Sequence, residues 1–193
     1  MLRELPDNFQ LDQCRAAMAF DSVKGLAIDA GAHRGIWTRE IALKYKKVIA
    51  IEPTDRAYDI KKYAEDSMLD IVVHKAACGR KIGKCSMQDG KRNTGQTHVT
   101  EGNDVPMITI DSLNVAPSFI KIDVEGMEFD VLKGAKRTIL EHKPIVLIEE
   151  NSLCLRYGHV PDRASNLLER WGAKKLADFY MFPEKDRNVL WGW

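Results

Sequence analysis

The sequence lacks the features that would assign it to a membrane-spanning, secreted or zinc-binding class. No apolar run approaches the ~20 residues that a bilayer-spanning helix requires. The N-terminal segment mixes acids, bases and amides, whereas a signal peptide has a continuous apolar centre. The four cysteines form no CxxC pair and no zinc-type spacing with the five histidines. We therefore expect a cytoplasmic protein whose thiols are reduced.

An excess of charge of either sign is also absent. The 193 residues carry 29 basic and 28 acidic side chains, which gives a formal net charge of +1. A protein that binds nucleic acid or a membrane surface through its charge needs a basic face, and the sequence shows none. It also contains no Asn-Pro-Pro-Tyr-like motif. We therefore expect neither nucleic acid nor a membrane as a partner.

What the sequence does contain is an alternation of β-branched runs with helical patterns. This alternation is typical of an α/β fold, in which a parallel sheet carries helices on its faces. Five runs predict core strands, namely residues 26–28, 48–51, 71–73, 119–122 and 145–148. The strand-like runs at 176–182 and 189–193 predict a closing hairpin.

Two further segments lie between the predicted strands, an excursion with a weak strand pattern and a long helical segment. Residues 80–104 are punctuated by glycines and rich in bases, and they predict a solvated excursion with an edge strand at 84–88. A clamp for an anionic substrate is the alternative for this excursion. Residues 128–142 predict one continuous helix, with acids near its start and bases near its end, as the helix dipole favours.

Acidic residues follow four of the predicted strands. They are Asp29, Glu52, Asp123 with Glu125, and Glu149 with Glu150. In an open α/β sheet, ligands bind outside the carboxyl ends of the strands. Carboxylates gathered there are costly to desolvate without a partner, so they predict a cationic or hydroxyl-rich ligand, or a metal.

The loop after the first strand narrows the choice of ligand. Gly31 permits a tight turn and Gly35 permits close helix packing, but residues 32–34 fill the place where GxGxxG has its second glycine. This pattern disfavours NAD and FAD. Glu52 follows the second strand and can accept both hydroxyls of a ribose. A ribose without phosphates, with positive charge near Asp29, describes S-adenosylmethionine.

Three motifs are similar to those of the FkbM-type S-adenosylmethionine-dependent methyltransferases. They are DAGAHRGIWT, IEP after the second strand, and IKIDVEGMEFDVLKGA, and the resemblance covers residues 25–151. It implies a Rossmann-like class I methyltransferase fold, with a seven-stranded, mostly parallel sheet, helices on both faces and a C-terminal antiparallel hairpin. It also implies methyl transfer to a hydroxyl of a sugar or small metabolite.

The resemblance leads to a single methyltransferase domain over residues 1–193. Within it we expect an N-terminal segment (1–24), a cofactor-binding core (25–151) and a C-terminal helix and hairpin (152–193). The predicted cofactor-binding residues are Asp29, Gly31, Ala32, Gly35, Glu52, Ala76, Ala77 and Asp123. Asp29 would reach the amino group of the cofactor, directly or through water. The alternatives are that Asp29 only orients the Gly31 loop and that Glu52 only caps a helix.

A hydroxyl acceptor is weakly nucleophilic, so a base or a cation must help to remove its proton. We expect Asp123 and Glu149 to border the acceptor pocket with one of them as the base, and His33 is a second candidate base. Glu125, Glu150 and Asn151 are the predicted substrate residues. A metal is not favoured, and the metal-assisted alternative would place Mg²⁺ on Asp123, Glu149 and Asn151.

A non-catalytic module that binds S-adenosylmethionine is the alternative from another class. A nicotinamide oxidoreductase is disfavoured by the first loop, which lacks the second glycine of GxGxxG. The expected partner is a small, carbohydrate-like hydroxyl compound.

Overall fold

A seven-stranded sheet organises the chain, and in the computed structural model it follows the predicted runs. The structure describes residues 10–90, 96–180 and 186–193. The strands of the large sheet are β1 (Leu26–Ala30), β2 (Lys47–Ile51), β3 (Ile71–His74), β7 (Pro117–Ile122), β8 (Ile145–Glu150), β9 (Lys174–Tyr180) and β10 (Arg187–Gly192). Their order is β3-β2-β1-β7-β8-β10-β9.

Strand direction confirms the predicted arrangement. The five neighbouring strands β3, β2, β1, β7 and β8 are all parallel, whereas β10 pairs antiparallel with both β8 and β9. The order reverses beside β1, from which β2 lies on one side and β7 on the other. In sheets of this kind, ligands bind at such a switch point, beyond the carboxyl ends of the strands.

Helices cover both faces of the sheet. They are α1 (Leu11–Ala19), α2 (Ile36–Ala42), α3 (Ala57–Ser67), α4 (Glu128–Lys133), α5 (Lys136–His142) and α6 (Arg163–Arg170). Because side chains alternate along a strand, Ile28 and Ile120 pack with α4, α5 and α6, whereas Ala27 and Phe119 pack with α1 and α2. Ile60 brings α3 against Ala50 of the sheet.

A small second sheet replaces much of the predicted solvated excursion. It contains β4 (Ala77–Cys78), β5 (Gly83–Gln88) and β6 (His98–Ile108) in the order β4-β6-β5. The predicted edge strand at 84–88 is confirmed, but the loop expected before residue 105 is wrong, because β6 begins at His98. Lys91 and Arg92, two of the bases in this segment, lie outside the described residues.

The predicted helix over residues 128–142 is two helices. It breaks at Gly134, where a Cβ atom would overlap the carbonyl oxygen of Gly79. The chain therefore needs a glycine where the segment before β5 crosses the helix pair. Asp111, in the 3₁₀ turn that follows β6, accepts the backbone N–H groups of Arg137 and Thr138 at the start of α5.

Within the described residues, none of the helices combines the length and the apolar character that crossing a membrane requires.

Candidate active site

The loop after β1 is shaped by two glycines with positive φ. Gly31 has a φ of 83°, and a Cβ atom there would overlap the carbonyl oxygen of Asp123. Gly35 has a φ of 78°, and a Cβ there would press on the side chain of Ile60 in α3. Both positions therefore exclude other residues, and the first loop lies directly against the end of β7.

Glu52 closes this loop from the end of β2. Its Oε2 accepts the backbone N–H of His33 at 2.9 Å, and its Oε1 accepts the hydroxyl of Thr54 at 2.6 Å. Burial raises the pKa of Glu52, and these hydrogen bonds partly oppose that increase. The carboxyl group is thus held at the tip of β2 beside the first loop. Its ribose-binding role stays a prediction.

Asp29 belongs to a buried ion-pair network. It is fully buried, its Oδ2 accepts the hydroxyl of Thr38 at 2.7 Å, and its Oδ1 lies 3.3 Å from Nζ of Lys121. The same Nζ lies 3.2 Å from Oδ2 of Asp123. The Asp29 carboxylate is therefore surrounded by protein groups, and its role toward the cofactor amino group stays a prediction.

Lys121 is a site residue that the sequence reasoning missed. Burial lowers its pKa, but the nearby Asp123 and Asp29 carboxylates outweigh burial, so the net shift is upward and the side chain is a stable ammonium. A signal for it exists, because Lys121 precedes Asp123 by two residues and therefore faces the same side of β7. The partner Asp29 comes from another strand, and nothing in the sequence sets that pairing.

Three carboxyl groups converge beyond β7 and β8. One oxygen from each of Asp123, Glu125 and Glu149 lies within 4.8 Å of the others. Burial is the main cause that raises the pKa of Glu149 well above its usual range, and Asp123 and Glu125 add to it. Burial followed by Asp123 and Glu128 raises the pKa of Glu125 in the same way. These groups therefore hold protons at a pH where an ordinary glutamate is ionised.

Glu150 lies close to this cluster but has other partners. Both oxygens of Glu150 accept backbone N–H groups at the start of α6, from Asp162 and Ser165. Adjacent residues of a strand face opposite sides, so Glu150 points away from Glu149. The contacts of Glu150 are those of a helix cap, and its role toward the substrate stays a prediction.

Asn151 supports Glu149. Its amide donates to Oε2 of Glu149 at 2.5 Å, while its side-chain oxygen accepts the N–H of Leu153. The alternative metal set of Asp123, Glu149 and Asn151 stays a prediction. Among the described acidic groups, it is Glu125 that joins Asp123 and Glu149 in the cluster.

Glu128 is a second residue that the sequence reasoning missed. It is buried, and its Oε1 accepts the N–H groups of Val124 and Gly126 in the loop after β7. Burial raises its pKa to about 7, although these hydrogen bonds oppose the increase. Glu128 fixes the loop that carries Glu125, which itself has a positive φ of 58°. A glutamate six residues after a strand end gives no sequence signal that separates this role from ordinary helix dipole preference.

The remaining predicted residues lie around the same edge of the sheet. His33 adopts a positive φ of 51° and contributes its backbone N–H to Glu52. Ala76 and Ala77 are both buried, directly after β3 and at the start of β4. They lie just beyond the tip of β3, which pairs with β2, and their cofactor-binding role stays a prediction.

A crevice opens beside Glu149 on the side of α4 and α6. It is small, with an accessible volume of about 10 Å³, room for about one water molecule, and Phe129, His159 and Arg163 line it. Arg163 donates to Nδ1 of His159 at 3.0 Å, so the proton of this ring lies on Nε2, 2.8 Å from Asp130. The site thus combines an acidic cluster with an adjacent polar crevice, an arrangement suited to a hydroxyl compound.

Comparison with known proteins identifies the family. The profile described as the methyltransferase FkbM domain matches residues 29–171, well over half of the chain. No curated protein matches the sequence.

Solved structures show the same fold. Methyltransferase FkbM from Methylobacillus flagellatus KT is 22% identical with a TM-score of 0.56, and the match covers 86% of this chain and 43% of that one. A precorrin-6y C5,15-methyltransferase from Geobacter metallireducens GS-15 is 12% identical with a TM-score of 0.57, covering 94% and 87%. A ribosomal protein L11 methylase from Lactobacillus delbrueckii subsp. bulgaricus is 10% identical with a TM-score of 0.59, covering 97% and 80%.

This chain spans less than half the length of the Methylobacillus FkbM chain. The fold that these neighbours share is that of the class I methyltransferases, with a mostly parallel seven-stranded sheet and an antiparallel hairpin at its end. The resemblance of the glycine loop and of the segment after β7 is thereby confirmed over most of its length. The chain belongs to the FkbM methyltransferase family.

Proposed function

We propose that this protein transfers a methyl group from S-adenosylmethionine to a hydroxyl oxygen of a small, carbohydrate-like molecule. One observation carries the proposal. Asp123, Glu125 and Glu149 converge at the carboxyl edge of the sheet, next to the glycine loop of a methyltransferase fold. A family that transfers methyl groups and an acidic site suited to hydroxyls together favour O-methylation.

The chemistry of the donor site fits S-adenosylmethionine. The cofactor carries a ribose diol and a sulfonium but no phosphate, and the first loop has residues 32–34 in place of a phosphate cradle. Glu52 lies at the β2 tip, where it can accept the diol. Two strand-end aspartates are predicted to bind the donor. Asp29 is enclosed by Thr38 and Lys121, whereas Asp123 is partly exposed and can reach a ligand.

When bound, S-adenosylmethionine supplies a methyl group on a positively charged sulfur. The protein then has to hold the hydroxyl in line and receive its proton. We assign the proton to Glu149, because Asp123 is already paired with Lys121 and Glu149 is oriented by the amide of Asn151. Its raised pKa makes Glu149 a stronger base than an ordinary carboxylate once it is ionised.

An acceptor hydroxyl would reach Glu149 from the side of this crevice. Hydrogen-bonding side chains line it together with the ring of Phe129, and its volume admits a hydroxyl group rather than a whole sugar. We place the reaction in the cytoplasm, because all four cysteines are free thiols.

Titration calorimetry tests the donor. Wild-type protein should bind S-adenosylmethionine and its demethylated product saturably. Glu52→Ala should weaken both by at least about tenfold, because it removes a buried acceptor of two hydroxyls. Glu65→Ala, on the exposed face of α3, is the matched control and should bind as wild type does. An absence of binding at millimolar ligand would overturn the proposal.

Methyl transfer tests the acceptor and the base. With a panel of sugars and small hydroxyl compounds and a labelled methyl donor, the label should appear on oxygen. Glu149→Gln should lower turnover by about 10²–10⁴-fold, the contribution of a general base. Wild-type turnover should fall toward acid pH, because protonation of Glu149 removes the base. Donor binding without transfer to any acceptor would favour a non-catalytic module, and turnover abolished by EDTA would favour metal assistance.

A further inference from the structure

We propose that Lys121 is a positioning residue for methyl transfer: with Asp29 and Thr38 behind it, its ammonium fixes the direction of the Asp123 carboxylate. The inference rests on the proposed function. It adds to the site a residue that touches neither donor nor acceptor and acts through Asp123.

The sheet register builds this support. Asp29 of β1 and Lys121 of β7 are directly opposite partners in the parallel pair. Nζ of Lys121 lies 3.3 Å from Asp29 Oδ1 and 3.2 Å from Asp123 Oδ2. On the far side, the hydroxyl of Thr38 in α2 donates to Asp29 Oδ2 at 2.7 Å. Four groups thus form a continuous chain from α2 across two strands to the tip of β7.

Exposure increases along this chain toward the site. The side chains of Asp29, Lys121 and Asp123 are 0%, 5% and 27% exposed. Asp123 is therefore the member that a ligand can reach, and the others lie behind it. A residue behind the accessible carboxylate can influence a ligand only by setting where that carboxylate points.

Trp37 limits where the ammonium can lie. Nζ of Lys121 sits 5.4 Å from the centre of the Trp37 ring, in cation–π range. A lysine has four rotatable bonds and ordinarily samples many positions. Here an aromatic ring on one side and two carboxylates on the others restrict it to one, so the support is rigid.

A purely structural role accounts poorly for these charges. Burying an ion pair costs desolvation, and apolar residues of similar volume often stabilise a fold as well or better. The cation is useful where a carboxylate must stay in place beside other acids. Without Lys121, Asp123 would face Glu125 and Glu149, and it would turn away from them toward solvent.

A double-mutant cycle on donor binding tests the proposal. Lys121→Met keeps the length of the side chain and removes its charge, and Asp29→Asn removes the charge behind it. Each should weaken S-adenosylmethionine binding by at least about tenfold in calorimetry, the loss typical for a misplaced charged hydrogen-bonding group. The double variant should bind no more weakly than Lys121→Met, because both residues act through one carboxylate. Multiplicative losses would overturn the inference.

The matched control is Lys47→Met. Lys47 lies at the other end of β2 and pairs with Asp70 on the surface, 3.6 Å away. This variant removes a lysine from the same sheet and should leave donor affinity within about twofold of wild type, since surface pairs contribute little. Circular dichroism at the assay temperature establishes which variants are folded.

Chemical rescue keeps the test decisive if Lys121→Met fails to fold. In Lys121→Ala, propylammonium replaces the missing atoms and should restore donor binding, whereas propanol should not. Restoration of stability without restoration of donor affinity would overturn the positioning role. If the wild type binds and Lys121→Met binds equally well, this inference alone is wrong. If the wild type does not bind the donor, the proposed function is wrong and the inference falls with it.

Discussion

Asp123 and Glu149 lie at the tips of β7 and β8, which are neighbours in the sheet, and the surroundings of these two acids differ. At β7, Asp123 is paired with the Lys121 ammonium, whose other partner is a fully buried carboxylate. At β8, Glu149 has Asp123 and Glu125 as charged neighbours, and burial together with these acids raises its pKa. One tip holds a compensated charge and the other holds a group that resists ionisation.

The contrast between the tips explains how two carboxyl groups a few ångströms apart can have separate tasks. Glu149 has a raised pKa, which suits a group that exchanges a proton, whereas Asp123 is held in an ion pair with Lys121. The sequence left the choice of base open among Asp123, Glu149 and His33. The different surroundings of the two tips favour Glu149 as the residue that exchanges a proton.

The largest loss of stability should come from removing Asp29, the buried partner of Lys121. Asp29→Ala leaves Lys121 buried with half of its countercharge and leaves Thr38 without its acceptor. We expect a loss of about 3–5 kcal/mol in the free energy of unfolding, the usual cost of removing one partner of a buried pair. Urea denaturation measures it. Thr38→Val should cost about 1 kcal/mol, and a loss as large as that of Asp29→Ala would show that the hydrogen bond, rather than the ion pair, accounts for the instability.

The buried carboxyl group of Glu128 should make the free energy of unfolding depend on pH. The pKa of Glu128 rises from 4.5 to about 7 on folding, so the folded protein binds this proton more tightly than the unfolded chain. Its contribution is complete below pH 4.5 and is lost as the pH rises to about 7, and on the order of 3 kcal/mol is at stake. Glu128→Gln keeps an oxygen for Val124 and Gly126.

The comparison is made by urea denaturation at several pH values. The Glu128→Gln variant and the wild type should be similarly stable near pH 4.5, and the variant should be the more stable above pH 7. Glu65→Gln is the control and should follow the wild type at every pH. Parallel curves for Glu128→Gln and wild type would contradict the raised pKa.

The smallest changes in stability should come from substituting two adjacent residues of β8, Glu149 and Glu150, and the two changes should have opposite signs. Glu149→Gln removes a buried carboxyl group from acidic neighbours, so at pH 8 it should stabilise the fold. Glu150→Gln weakens the acceptor for two N–H groups of α6 and should destabilise it by about 1 kcal/mol. Thermal melting compares the two, and the same sign for both would remove the contrast between the two faces of β8.

The sequence predicted the large sheet well, because period and strand-end chemistry are local properties. The five core runs became strands, and the acids at their ends lie along one edge as expected. Alternation also separates Glu149 from Glu150, since neighbouring residues must face opposite sides. The cluster of Asp123 with Glu149 follows from the fact that β7 and β8 are adjacent and parallel.

Non-local features could not be predicted in the same way. The pairing of Asp29 with Lys121 depends on the register between strands 92 residues apart, and no residue pattern encodes that register. The break at Gly134 depends on contact with Gly79, and the extension of β6 depends on pairing with β5. Each requires two distant segments to meet before its residues acquire their roles.

The position of β10 affects how the protein is made. This strand, at residues 187–192, lies inside the sheet between β8 and β9 rather than at its edge. While the chain emerges from the ribosome, β8 and β9 therefore keep open backbone groups on the sides that β10 will pair. The sheet closes only when β10 arrives, so the tip of β8 with Glu149 is completed after β9 has been made.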